Sequence, residues 1–128
     1  KIVLVSDLHL GYNIGLRQME KMVAKINAEK ADLVVIAGDI FDNEYDADRE
    51  PEKISEILRT IRSKYGVYAC WGNHDLNEPI LAGFTFKHKK EDSKQLKDPR
   101  MKRFLQNSNI QLLEDEAVLI DNSFYVVG

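Results

Sequence analysis

Continuous apolar runs alternate with helically spaced apolar positions through the first half of the chain. Ile2-Val3-Leu4-Val5 is stopped by Ser6-Asp7, the pattern of a short strand buried on both faces. Leu16, Met19, Met22, Val23 and Ile26 then recur three or four residues apart, so they share one face of a helix. Leu33-Val34-Val35-Ile36-Ala37 is a second buried strand, stopped by Gly38-Asp39. Ile54, Ile57, Leu58 and Ile61 mark a second amphipathic helix, with Pro51 near its start and Gly66 past its end, positions that suit both residues. Val67-Tyr68-Ala69-Cys70-Trp71 is a third strand, stopped by Gly72-Asn73. The order β-α-β-α-β predicts an α/β domain with a parallel sheet and right-handed crossovers.

Beyond Pro79 the pattern changes. Residues 84–103 are strongly charged, with Lys87, Lys89, Lys90, Lys94, Lys97, Arg100, Lys102 and Arg103. Met101, Phe104 and Leu105 predict a short helix opened by Asp98-Pro99. Ile110 to Leu113, Ala117 to Ile120 and Phe124 to Val127 read as three short strands, with Asp121-Asn122-Ser123 as a hairpin turn between the last two. These strands are expected to begin a second, antiparallel layer. Both ends of the chain fall inside strand-like runs, so residues 1–128 are expected to form a single partial domain that continues past Gly128.

The polar residues that stop the strands carry the chemistry. Asp7-Leu8-His9 follows the first strand, Gly38-Asp39-Ile40-Phe41-Asp42 the second, and Gly72-Asn73-His74-Asp75 the third. Ligands of open parallel sheets bind at the carboxyl ends of the strands, so the three loops aim Asp, His and Asn side chains at one place. Carboxylate oxygen and imidazole nitrogen suit divalent zinc, manganese or iron, and no cysteine joins the cluster. A carboxylate can bridge two ions, the arrangement used for in-line attack on phosphate esters. Gly38 and Gly72 permit a sharp turn and a close approach. Taken singly, each motif also reads as an ordinary turn or helix cap; it is their joint occurrence after three buried strands that points to a site.

Composition narrows the remaining choices. A chain of 128 residues fits one domain. A net charge of −3 gives no general attraction to nucleic acid, so no nucleic-acid partner is favoured. The single cysteine, Cys70, rules out an internal disulfide framework but fixes no compartment. No apolar run approaches the roughly 20 residues of a bilayer span. A cytoplasmic or a membrane-associated location both remain open, the latter through peripheral segments outside these residues. His88 and the basic run read as a solvated face, with a rim attracting an anionic substrate as the functional alternative. Trp71, Cys70 and the Met19 and Met22 stripe read as core, and Tyr12 and Asn13 as loop residues.

Asp-x-His, Gly-Asp-x-x-Asp and Gly-Asn-His-Asp, in this order and each after a buried strand, resemble the calcineurin-like metallophosphoesterase superfamily. Ser6-Asp7-Leu8-His9-Leu10-Gly11 and residues 65–75 are most similar to its bacterial YkuE-like subgroup. The resemblance covers residues 1–75 closely and the rest loosely. It implies a layered α/β/β/α sandwich, of which these residues would form the N-terminal half: βαβαβ plus the start of a second sheet. It implies two divalent ions, manganese, iron or zinc, with Asp7 and His9 on the first, Asp39 bridging both and Asn73 on the second. His74 would contact the substrate phosphate and protonate the leaving oxygen, Asp42 would orient His74, and Asp75 would support the ligands from behind. The implied activity is hydrolysis of a phosphodiester, phosphomonoester or pyrophosphate by a metal-bound hydroxide. The family completes its site with later histidines, one alone and then Gly-His-x-His. Here the histidines are His9, His74 and His88, so the chain by itself is expected to be inactive. Two alternatives stay open: a DNA nuclease of the SbcD type, which shares these motifs, and a non-catalytic metal-binding interaction domain.

Overall fold

The structure is a computed structural model that describes residues 1–10, 14–41, 50–76, 80–81, 84–85 and 98–128. Strands β1 (Ile2–Val5), β2 (Leu33–Ala37) and β3 (Val67–Cys70) are separated by helices α1 (Leu16–Ala28) and α2 (Pro51–Leu58). A short 3₁₀ turn covers His74–Leu76, and a small hairpin pairs β4 (Ile80–Leu81) with β5 (Phe84–Thr85). Helix α3 (Pro99–Asn107), β6 (Ile110–Leu112), β7 (Ala117–Ile120) and β8 (Phe124–Val127) complete the chain.

Among the described residues the main sheet runs β1-β2-β3-β6, and every neighbouring pair in it is parallel. The molecule is therefore the α/β fold that the alternation of runs predicts. Side chains alternate across a strand, and the two faces of the sheet bury different sets. Val34, Ile36, Val67, Ala69 and Ile110 pack with Met19, Val23 and Ile26 of α1, Ile54 and Leu58 of α2, and Met101, Phe104 and Leu105 of α3. Phe41 and Phe104 meet edge to face, with centroids 5.4 Å apart, a favoured aromatic geometry. On the other face Leu33, Tyr68 and Leu113 pack against Ile120, with Val118, Phe124 and Val126 of the β7–β8 hairpin beside them.

Local chemistry places the helix ends. Asp98 accepts from the Arg100 amide at 2.9 Å and so caps α3, with Pro99 at its first turn. Gly15 precedes α1, and its amide donates to the Gln18 side chain at 3.2 Å. Asp121 and Asn122 both have positive φ, 51° and 50°, and Ser123 N–H donates to Ile120 C=O at 2.9 Å. That is the primed turn expected between β7 and β8.

The structure corrects the expected pattern at several places. The strand at Ile110 joins the parallel sheet beside β3 instead of an antiparallel layer. The physical reason is that α3 acts as a crossover, so β3, α3 and β6 repeat the β-α-β arrangement of the first half. β1 is not buried on both faces: Ile2 and Leu4 are 60% and 69% exposed. Among the described residues it is an edge strand with one sheet neighbour, and the hairpin packs on Leu33 and Tyr68 instead. Helix α2 ends at Leu58, so Ile61 packs against the core from the segment after it. Trp71 lies just past β3 and is partly buried, its indole N–H donating to Glu114 at 2.9 Å. The β4–β5 pairing adds to the expected elements: Ile80-Leu81-Ala82-Gly83-Phe84-Thr85 is uncharged but too short to show a strand period. Tyr12, Asn13, Asp42, His88 and most of the basic run lie outside the described residues. No described helix is long and apolar enough to cross a membrane.

Candidate metal centre

The three polar loops leave the carboxyl ends of β1, β2 and β3, and backbone hydrogen bonds keep them in register past the strands. His9 N–H donates to Asp39 C=O at 3.0 Å and Leu10 N–H to Ile40 C=O at 2.8 Å. Leu10 and Phe41 form a parallel bridge. Leu8, Leu10, Ile40 and Phe41 are all buried, from 0% to 5% exposed, while Asp7 is exposed and His9 and Asp39 are half-buried. The loops thus send apolar side chains into the core and present the polar ones at the surface. The alternation Asp7-Leu8-His9-Leu10 is the signal of this division in the sequence.

Asp7, His9 and Asp39 each offer a ligand atom, and these atoms all lie within 4.8 Å of one another. The His9 Nε2 to Asp7 Oδ1 separation is 3.9 Å. Two carboxylates and one imidazole within that span are a donor set for a divalent cation. All three residues have left-handed backbone, with φ of 55° for Asp7, 44° for His9 and 49° for Asp39. Non-glycine residues adopt that conformation at a cost of roughly 1–2 kcal/mol each, so the convergence is held by its surroundings.

The third loop closes over the same place. His74 N–H donates to Asp39 Oδ1 at 3.1 Å. The His74 ring stands edge-on to the His9 ring, with centroids 5.0 Å apart. Asn73, between Gly72 and His74, is exposed. Asp75 points the other way: it is 2% exposed, and its carboxylate accepts from the amides of Phe41 at 2.7 Å, Gly72 at 2.8 Å and Ile40 at 3.2 Å. Burial raises the Asp75 pKa above 3.8; the amides of Gly72, Phe41 and Ile40 oppose that shift and the negative Asp39 adds to it.

The two glycines have a more exact role than their sequence positions disclose. A Cβ on Gly38 would meet the Gly72 Cα at 2.8 Å, and Gly38 has φ of +72°. A Cβ on Gly72 would meet Asp39 Oδ1 at 2.1 Å and Asp39 N at 2.2 Å. The second and third loops therefore touch backbone to backbone, and the Asp39 carboxylate lies in the space a side chain at position 72 would fill.

Comparison with known proteins supplies an independent line. A family model described as calcineurin-like phosphoesterase matches residues 1–127. An uncharacterized metallophosphoesterase, YkuE of Bacillus subtilis, is 36% identical over 75 residues, which cover 59% of this chain and 26% of that protein. A transmembrane protein with a metallophosphoesterase domain from Bos taurus is 37% identical over 82 residues, covering 59% of this chain and 16% of its own length. The UDP-2,3-diacylglucosamine pyrophosphatase LpxG of Chlamydia trachomatis is 23% identical across 100% of this chain and 47% of its own. The chain thus spans less than half the length of each of these relatives, which come from bacteria and an animal alike.

Proposed function

We propose that this chain, which belongs to the calcineurin-like phosphoesterase family, carries the metal-binding face of an enzyme that hydrolyses phosphate esters. The observation that carries the reading is the convergence of Asp7, His9 and Asp39 at the ends of adjacent parallel strands. Asp7 and His9 would hold one divalent ion, manganese, iron or zinc. Asp39 would reach both that ion and a second one, to which Asn73 adds its side-chain carbonyl oxygen. When bound, such ions make a water molecule acidic enough to attack at neutral pH and neutralise charge on the phosphate.

The chain's own residues do the rest. His74 stands beside the ligand group, where its imidazole could hydrogen-bond a phosphate oxygen and give a proton to the departing alkoxide. Its backbone amide fixes one Asp39 oxygen, which keeps that carboxylate oriented while charge moves across the phosphate. Asp42, outside the described residues, is assigned to orient the His74 ring, as carboxylates commonly do for imidazoles. The match along the whole chain to a UDP-2,3-diacylglucosamine pyrophosphatase favours a pyrophosphate over a simple monoester.

Because residues 1–128 by themselves are expected to be inactive, the test is hydrolysis of bis-p-nitrophenyl phosphate by the full-length protein that contains them. Turnover is expected to need Mn²⁺ and to stop on chelation. Turnover that survives complete chelation would overturn the proposal.

A further inference from the structure

Asp75 stands outside the Asp7, His9 and Asp39 ligand group, yet its carboxylate is almost fully buried. Burying an ionised carboxylate costs several kcal/mol unless hydrogen bonds replace its water. Here three backbone amides do so. An apolar side chain could fill the same space; what the carboxylate adds is direction, because the three N–H groups converge on it from two loops. The amides of Ile40 and Phe41 directly follow Asp39. The amide of Gly72 comes just before Asn73 and His74.

The consequence reaches Asp39 from both sides. Pulling Ile40 and Phe41 toward Gly72 sets the Asp39 backbone against the glycine, where no other residue leaves room for the carboxylate. The same pull brings the His74 amide to Asp39 Oδ1. Because His9 N–H and Leu10 N–H donate to Asp39 C=O and Ile40 C=O, the first loop is tied to the same backbone. We propose that Asp75 is a positioning residue that sets the Asp39 carboxylate before any ion binds; its importance for metal uptake rests on the reading of Asp39 as a ligand.

Asp75→Asn tests this. The amide has the same shape but offers one oxygen, so its NH₂ must face at least one backbone N–H. Ser108→Ala serves as the control: Ser108 is 1% exposed and donates to Phe104 C=O at 2.8 Å in α3, outside the site. In the metal-free protein, Asp75→Asn is expected to speed exchange of the His74 amide about 10- to 100-fold, the loss of a charge-assisted hydrogen bond, although Asp75 does not bond that amide. It should also weaken Mn²⁺ binding about 10- to 100-fold. Ser108→Ala should change neither beyond its effect on global stability. Equal His74 exchange in the two variants, after correction for stability, would overturn the proposal. Faster His74 exchange in Asp75→Asn, with a parent protein that takes up no Mn²⁺, would uphold the positioning role and contradict the metal reading. Should Asp75→Asn fail to fold, the parent protein decides: protected Phe41, Gly72 and His74 amides support the proposal, and freely exchanging ones refute it.

Discussion

Asp39 is placed by two neighbours that have no side chain of their own. Its carboxylate lies where a Gly72 Cβ would be, and Gly38 turns with φ of +72° immediately before it. Gly72→Ala is therefore expected to displace Asp39 without removing any ligand atom. Overpacking of this kind costs about 1–3 kcal/mol, so urea unfolding should show that loss together with weakened Mn²⁺ binding. Normal Mn²⁺ affinity in Gly72→Ala would show that the contact is slack. At this scale the sequence is explicit about residue types and silent about contacts. Asp7, His9, Asp39, Asn73 and His74 can be picked out because each interrupts or follows an apolar run. The close approach of Gly38 and Gly72, and the Ile40 and Phe41 amides that meet at Asp75, join positions more than 30 residues apart, and no local pattern encodes them.

Among the elements, α3 shows how short-range chemistry decides a boundary. Asp98 accepts from the Arg100 amide and pairs with its guanidinium, and that guanidinium holds the Asp98 carboxyl below 3.8. Asp98→Ala is expected to cost about 0.5–2 kcal/mol, the usual value of such a cap. Because the folded-state pKa is lowered, the stabilisation is present above 3.8 and is lost as pH falls through the folded value. Denaturation of both proteins should show a stability gap at neutral pH that closes in acid; a gap that widens in acid would contradict the assignment. The cap is legible as Asp98-Pro99 before an apolar stripe. The strand after it is legible as a strand but not in its place. Ile110 to Leu112 carries no sign of whether it pairs with β3 or with β7, and only the crossover through α3 puts it in the parallel sheet. β1 departs from its expected burial for the opposite reason. Its apolar run is real, but among the described residues one face of this edge strand is left largely open at Ile2 and Leu4.

For the molecule as a whole, one arrangement links fold to chemistry. Parallel strands bring the ends of β1, β2 and β3 side by side. Core side chains such as Leu10, Ile40 and Phe41 anchor the loops that follow, each 0% exposed. The polar residues between those anchors then converge without needing a long-range fold of their own. The α/β class and the location of the site could be read from the alternation of runs, because both depend on periodicity. The second face of the sheet could not, because its partner, the β7–β8 hairpin, contributes short strands whose outer residues Leu119, Tyr125 and Val127 are exposed despite being apolar. Alternation there gives no clean inside and outside.

A Mn²⁺ titration of the purified chain beside its Asp39→Asn variant shows directly whether Asp7, His9 and Asp39 form a divalent-metal site. Saturable uptake by the parent and at least about tenfold weaker binding by the variant are expected, since the retained amide oxygen brings no charge. Equal binding by the two proteins, or no uptake by the parent, would contradict that site.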